Sequence, residues 1–285
     1  MSAPAAERTP VEGLMARFEL EPLDRDLFLG DPGPGRRRLF GGLVAAQSFM
    51  AAARTLEAGE RPLHSLHAYF LRPGRYELPI RFVVDRIRDG RSFTTRRVVA
   101  HQGGEAIFNL SASFAAVEEG VSHQDAPPES PPPEELPLHR SGPWAHLSGG
   151  EDSNPIEMRS VDGLREDDQP LPPHRIVWMR PRGVVDPDPV LQTALLVYAS
   201  DRSLVSTAVR PLPQRREEFQ MASLDHALWL HRPVRFDDWL QFVSESPVAH
   251  SARGLIFGAV YDRKGARIAS VAQEGLVRLR RDRTE

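Results

Sequence analysis

The sequence predicts an α+β fold of two similar units, each a central helix wrapped by an antiparallel β-sheet, with the two sheets joined into one. Three observations predict it. An apolar helical stretch precedes a series of β-branched strands twice, once in 10–118 and once in 172–280. The two series keep step: Arg72-Pro73 and Arg232-Pro233 are 160 positions apart, and the last strands, Ile107–Phe114 and Ile268–Gly275, are 161 apart. An offset stable to one residue over about 40 positions reads as an internal duplication. Finally, Val190, Leu191, Ala194, Leu195, Val197, Tyr198, Leu204 and Val205 cover most of a helical circumference, so that helix is buried nearly all round.

The elements follow in order. After an N-terminal arm, a helix is expected over Leu39–Leu56, then a strand carrying Ser65-Leu66, strands at Arg81–Val84 and Thr94–Val99, a turn at Gly103-Gly104, and the strand Ile107–Phe114. From Asp125 to Pro143 the chain carries seven prolines, among them Pro131-Pro132-Pro133. Proline fixes φ and removes a donor, so this tract reads as an extended connector, continued by polar, unpatterned residues to about Pro173. The second unit has the helix at 190–205, a strand with Ser223-Leu224, strands at Leu255–Tyr261 and Ile268–Val271, and a turn at Gly265. Such β-branched runs fit an antiparallel sheet with one covered face. The organisation expected is an N-terminal unit in 1–118, a Pro-rich acidic connector in 119–171, and a C-terminal unit in 172–285.

Composition narrows the chemistry. The 285 residues carry 36 basic and 39 acidic side chains, a formal charge of -3, so no global field recruits nucleic acid or an anionic membrane. There is no Cys, which removes disulfides, a thiolate nucleophile and a thiolate zinc site. Lys264 is the one lysine, in the turn Asp262-Arg263-Lys264-Gly265, so a Schiff-base or P-loop lysine has no candidate. The N-terminus lacks the basic and apolar regions of a signal peptide. The longest weakly polar stretch, Leu39–Ala53, is too short to span a bilayer. A soluble, cytoplasmic chain is expected, with no cofactor and no metal.

Three side chains stand out. Asp201 falls on the helix face of Ala194 and Tyr198, where an ionised carboxylate is costly unless hydrogen-bonded; alternatively it ends the helix in solvent beside Arg202. Gln273 alternates with Val271, Gly275, Val277 and Leu279, which aims its amide inward, either as a structural group or into a site. The matching position of the first unit is Ala112. Ser223 shares strand parity with Phe219, Met221 and Trp229, so its hydroxyl points toward the core side. Converging on one cleft, an Asp, a Ser and a Gln can hold and activate a water molecule, the carboxylate taking its proton. His64, His67, His226 and His231 lack metal-ligand spacing and read as structural hydrogen-bonding residues. No GxSxG elbow occurs, which argues against an α/β-hydrolase. Arg36, Arg37 and Arg38 form either a solvated cluster or a site for phosphates.

In order along the chain come Leu39-Phe40-Gly41-Gly42, His64-Ser65-Leu66-His67-Ala68-Tyr69-Phe70-Leu71-Arg72-Pro73-Gly74, Arg88-Asp89-Gly90-Arg91-Ser92-Phe93 and Ser111-Ala112-Ser113-Phe114. Then follow Tyr198-Ala199-Ser200-Asp201, Ser223-Leu224-Asp225-His226, Trp229-Leu230-His231-Arg232-Pro233, Ser251-Ala252-Arg253-Gly254 and Gln273-Glu274-Gly275. Together they resemble the acyl-CoA thioesterase II family of double-hotdog thioesterases. That resemblance implies hydrolysis of fatty acyl-CoA, of medium or long chain, by a water held between Asp201, Ser223 and Gln273. Many relatives have Thr where this chain has Ser223. The resemblance also implies a homo-oligomer, a dimer or larger. Two other readings stand beside it: a non-catalytic acyl-binding protein, and an enoyl-CoA hydratase-like hotdog enzyme. The latter needs an Asp/His pair on one helix, and Arg202 to Arg210 contain no His.

Overall fold

The structure, a computed structural model, describes residues 9–35, 38–57, 61–138, 154–162 and 169–280. Helix α1 (Pro10–Phe18) begins at Thr9, whose side chain and that of Glu12 cap each other's backbone, with Pro10 in the first turn where its missing N–H costs nothing. A hairpin of β1 (Glu21–Asp24) and β2 (Leu27–Gly30) leads to helix α2 (Gly41–Ala53). Strands β3 (Leu63–Phe70), β4 (Ile80–Asp89), β5 (Phe93–Gln102) and β6 (Glu105–Ala115) complete the first unit. Its β5–β6 turn uses Gly103 and Gly104, both at positive φ, as the glycine pair predicts.

The second unit repeats the pattern. Strands β7 (Ile156–Ser160) and β8 (His174–Pro181) precede helix α3 (Pro189–Ser200) and a single turn, α4 (Leu204–Thr207). Five strands follow: β9 (Phe219–Ser223), β10 (Asp225–Leu230), β11 (Leu240–His250), β12 (Arg253–Tyr261) and β13 (Arg267–Leu279). All belong to one antiparallel sheet in the order β1-β2-β4-β5-β6-β3-β10-β13-β12-β11-β8-β7, with β9 also on β13. The order reads almost the same from either edge. At its centre β3 pairs with β10, Tyr69 opposite Asp225 and Ser65 opposite Trp229. Each half thus completes the other's sheet. One apolar core runs through both, with α1, α2 and α3 packed on the inner face.

Cross-strand register makes the duplication concrete. Leu66 faces Ala112 between β3 and β6, and Ala227 faces Ala272 between β10 and β13. One step along the second ladder sets His226 opposite Gln273. The pair Leu66/Ala112 therefore corresponds to His226/Gln273, at the offsets of 160 and 161 read from the sequence.

Two expectations need correcting. The helix expected over 190–205 is interrupted: α3 stops at Ser200, Ser203 adopts a left-handed φ of 71°, and the chain resumes as α4. Apolar periodicity continues through the break because both pieces are buried, so hydrophobicity alone does not reveal it. The expected connector, 119–171, is not free of structure either. Within it β7 pairs with β8 as an edge strand, and Ser130 accepts from Trp178 and Gln241, strapping the Pro-rich tract onto the second half of the sheet. Pro143 lies outside the described residues.

Candidate active site

The site begins where two helix ends meet. Helix α3 is capped at its start by Asp188, which accepts from the N–H groups of Val190 and Leu191 at 2.6 and 3.0 Å. Its far end is Asp201, which is 7% exposed. Both sequence readings of Asp201 are thus half right: it ends the helix, and it is buried. Helix α2 starts differently, with Phe40 at the cap position giving no side-chain hydrogen bond. Its first-turn donors need other acceptors, and the Asp201 carboxylate lies against them, the Gly42 N–H favouring its charged form.

Two glycines allow this approach. A Cβ on Gly42 would lie 2.5 Å from the Tyr198 carbonyl oxygen, and one on Gly41 would lie 2.9 Å from Oδ2 of Asp201. Only at glycine can the start of α2 come against the end of α3.

Strands supply the remaining groups. Ser223 ends β9, opposite Gly275 of β13. Gln273 lies two residues before Gly275 on β13 and is 1% exposed. The Ser223 hydroxyl donates to Oδ1 of Asp201 at 3.0 Å. Gln273 Nε2 donates to the same oxygen at 3.2 Å and to Ser223 Oγ at 2.5 Å. The three polar side chains singled out from the sequence are thereby in mutual contact.

Parity was right for part of the Ser223 argument and wrong for the rest. Phe219 is buried on Ser223's face, yet Trp229 is 37% exposed on the opposite face. The phase changes at Leu224, whose N–H bonds to Glu274 and whose carbonyl accepts from Phe70, between the two strands. One irregular residue is enough to invert alternation. Downstream of it His226 and Leu228 turn inward. Leu279, assigned to the inner face with Gln273, is exposed at the end of β13.

His226 is the neighbour that sequence reasoning left among structural residues. Its Nδ1 lies 2.9 Å from Oε1 of Gln273 and its Nε2 2.9 Å from Oγ of Ser200. Its inward placement depends on the irregularity at Leu224, although alternation counted back from Leu228 could have found it. The other three histidines lie elsewhere: His64 on Ser113, His231 on Ser270, and His67 edge-on to Trp229. Arg38 forms an isolated bridge with Arg75, while Arg36 and Arg37 lie outside the described residues.

Burial dominates the electrostatics of Asp201 and raises its pKa above the ordinary aspartate value. His226, Ser223, Gln273 and the Gly42 N–H pull in the other direction without cancelling it. The helix ends oppose each other too, since the C-terminus of α3 disfavours the negative charge and the N-terminus of α2 favours it. Around this point sit Phe40, edge-on to Tyr198 with ring centres 5.0 Å apart, and Phe70 beside Gly41. A carboxylate with a raised pKa, two fixed donors and a helix N-terminus in an aromatic setting can hold a water molecule, accept its proton and stabilise an oxyanion.

Comparison with known proteins points the same way. The sequence model described as "Acyl-CoA thioesterase N-terminal domain" matches residues 30–115, and that described as "Acyl-CoA thioesterase" matches 157–276. The chain is 36% identical to acyl-coenzyme A thioesterase 8 of Mus musculus, over 92% of this chain and 88% of that one. It is 32% identical to acyl-CoA thioesterase 2 of Haemophilus influenzae, covering 94% and 98%. The crystal structure of acyl-CoA thioesterase II TesB2 from Mycobacterium marinum superposes with a TM-score of 0.79, at 39% identity over 94% of this chain and 98% of that one. The fold is therefore the double hotdog, and the chain belongs to the acyl-CoA thioesterase II family of thioester hydrolases.

Proposed function

We propose that this enzyme hydrolyses medium- and long-chain fatty acyl-CoA to the fatty acid and CoA, with Asp201, Ser223 and Gln273 holding and activating the attacking water. One observation carries the reading: the Ser223 hydroxyl and the Gln273 amide both donate to a single oxygen of the buried Asp201 carboxylate.

The steps follow from that arrangement. Water is held by the three polar groups with its oxygen toward the thioester carbon. As the new C–O bond forms, Asp201 takes a proton from the water. Negative charge gathers on the former carbonyl oxygen, where the N-terminus of α2, with its uncapped first-turn N–H groups near Gly41 and Gly42, favours it. The C–S bond then breaks. The CoA thiolate recovers the proton from Asp201, and the carboxylate is restored. Burial assists the first transfer, because a carboxylate with a raised pKa is a stronger base than one in water.

The same reading gives one site per chain. At the register positions of His226 and Gln273 the first half has Leu66 and Ala112, both buried and neither able to orient a water molecule. The aromatic setting of Asp201, with Phe40, Phe70 and Tyr198 around the start of α2, suits an apolar acyl chain.

Thiol release measured across acyl-CoA chain lengths, with the wild type beside Asp201→Asn and Gln273→Ala, tests the assignment. Release with medium and long chains, reduced by about two orders of magnitude in Asp201→Asn, is the expected result. Near-wild-type turnover in a folded Asp201→Asn protein removes the assignment. Tight acyl-CoA binding without thiol release would instead favour an acyl-binding protein.

A further inference from the structure

We propose that His226 is a positioning residue that sets which way the Gln273 amide faces, by keeping a proton on Nδ1. The proposal rests on the role given to Gln273 above.

Proton counting carries the argument. Oε1 of Gln273 has lone pairs only, so its 2.9 Å contact with Nδ1 requires an N–H on that nitrogen. With Oε1 taken, the amide N–H groups of Gln273 are turned toward Ser223 Oγ and Asp201 Oδ1. Ser223 already receives one of them, so its own proton goes to Asp201. The result is a directed chain from His226 through Gln273 and Ser223 to Asp201. Rotating the amide by half a turn would set Oε1 against the Asp201 carboxylate at 3.2 Å and Nε2 against the Nδ1–H of His226.

An ionised Asp201 also favours the observed orientation. That help fades when Asp201 holds the proton taken from water, because a carboxylic acid can donate to Oε1 as readily as a carboxylate accepts from the amide. At that stage of the cycle the histidine alone fixes the amide. Water cannot substitute for it, since the imidazole that fills the place beside Oε1 is itself 1% exposed.

The far side of the ring is suited to this task. Nε2 faces Ser200 Oγ at 2.9 Å, and that hydroxyl also lies 3.0 Å from the Val197 carbonyl. A neutral ring accepts the Ser200 proton on Nε2. A charged ring donates to Ser200, whose proton then goes to Val197. Both states keep Nδ1–H on Gln273. The first half of the chain lacks the pair as a unit, having Leu66 and Ala112 in its place.

The test uses the full chain, thiol release from acyl-CoA, and His226→Leu, His226→Asn and His226→Asp. Leu removes the donor and should lower kcat about 10- to 100-fold with KM unchanged, the range for a buried acceptor left without its partner. Asn can place an N–H near the Nδ1 position and should recover most of that loss. Asp when ionised offers only acceptors to Oε1, drives the amide to flip, and should fall below Leu at high pH, recovering toward Asn as pH falls and the carboxyl gains a proton to donate. In a Gln273→Ala background His226→Leu should cost less than about twofold more, because a residue acting through Gln273 has nothing left to position. Nitrogen-15 NMR of the wild-type imidazole gives a reading independent of any variant and should show Nδ1 protonated. An Nε2–H neutral tautomer, a change confined to KM, or full additivity with Gln273→Ala overturns the proposal while leaving Gln273 in its role. Wild-type kcat in Gln273→Ala overturns both.

Discussion

Replacing Gly42 with alanine tests whether the meeting of two helix ends builds the site. The added Cβ would lie 2.5 Å from the Tyr198 carbonyl oxygen, about 0.9 Å short of the 3.4 Å at which ordinary contact begins. Its obstacle is backbone on a second helix, so no rotamer change can relieve it. The start of α2 must move away from the end of α3, taking the Gly42 N–H with it. Overpacking of this kind costs about 1–3 kcal/mol of stability, and misplacement on the order of 1 Å costs about 100-fold in rate. We therefore expect kcat for thiol release to fall by about two orders of magnitude, with Tm lower by a few degrees. Gly13→Ala is the matched control. It lies within α1, where an added Cβ meets nothing within 4 Å. Alanine there should raise Tm slightly, by helix propensity alone, and leave kcat as it was. A Gly42→Ala enzyme with kcat within about twofold of wild type and unchanged Tm would refute the idea that the approach of α2 positions the site.

Three further predictions follow from Asp201 and Ser223. Burial raises the pKa of Asp201, and the base works only when ionised, so the acid limb of the kcat–pH profile should lie above the ordinary aspartate value of 3.8; a limb at or below it contradicts the assignment. A raised folded-state pKa also means that the ionised carboxylate weakens the fold: its contribution is most favourable below the unfolded pKa and is lost as pH rises through the folded one. Thermal melting should accordingly find Asp201→Asn at least as stable as wild type at pH 7, with the difference shrinking as pH falls through the raised folded pKa toward 3.8 and gone below it, since asparagine keeps an oxygen for Ser223 and Gln273. For Ser223, alanine should lower kcat about tenfold or more by deleting the hydroxyl, whereas threonine retains it and should stay within a few-fold of wild type. Equal rates for the two variants would show that the hydroxyl has no part in the reaction.

What was legible in the sequence had a local signature. The duplicated pattern, the glycine turn at Gly103-Gly104 and the inward face of Gln273 all follow from periodicity or backbone freedom, and these appear in the fold as read. Asp201 could be placed at the right depth because the buried helix before it advertised its faces. Features that depend on one residue were harder. Leu224 inverts strand phase, so unbroken alternation aims Trp229 inward and hides the inward turn of His226. Ser203 breaks a helix whose apolar pattern continues on both sides. Strand β7 is five residues long and follows proline-rich chain, too short for alternation to stand out. The role of Gly42 was hidden for another reason: it depends on a carbonyl about 156 positions away, a pairing that only tertiary structure creates.

The duplication explains why the polar residues sit in one half while the site needs both. Each half of the sheet offers the same framework, a buried helix laid on strands with a matched cross-strand pair facing it. In the second half that pair is His226 and Gln273, and the helix ends in Asp201. In the first half the pair is Leu66 and Ala112, and the corresponding helix ends in Arg54, which turns outward to Glu19 and the Leu20 carbonyl. That half contributes something else, the uncapped start of α2 with its two glycines. A helix start needs no polar side chain to present N–H groups, so Leu66 and Ala112 leave this contribution intact. The carboxylate comes from one repeat and the helix dipole facing it from the other, and a C-terminal unit expressed without α2 would retain Asp201, Ser223 and Gln273 but lose the helix N-terminus that lies against the carboxylate.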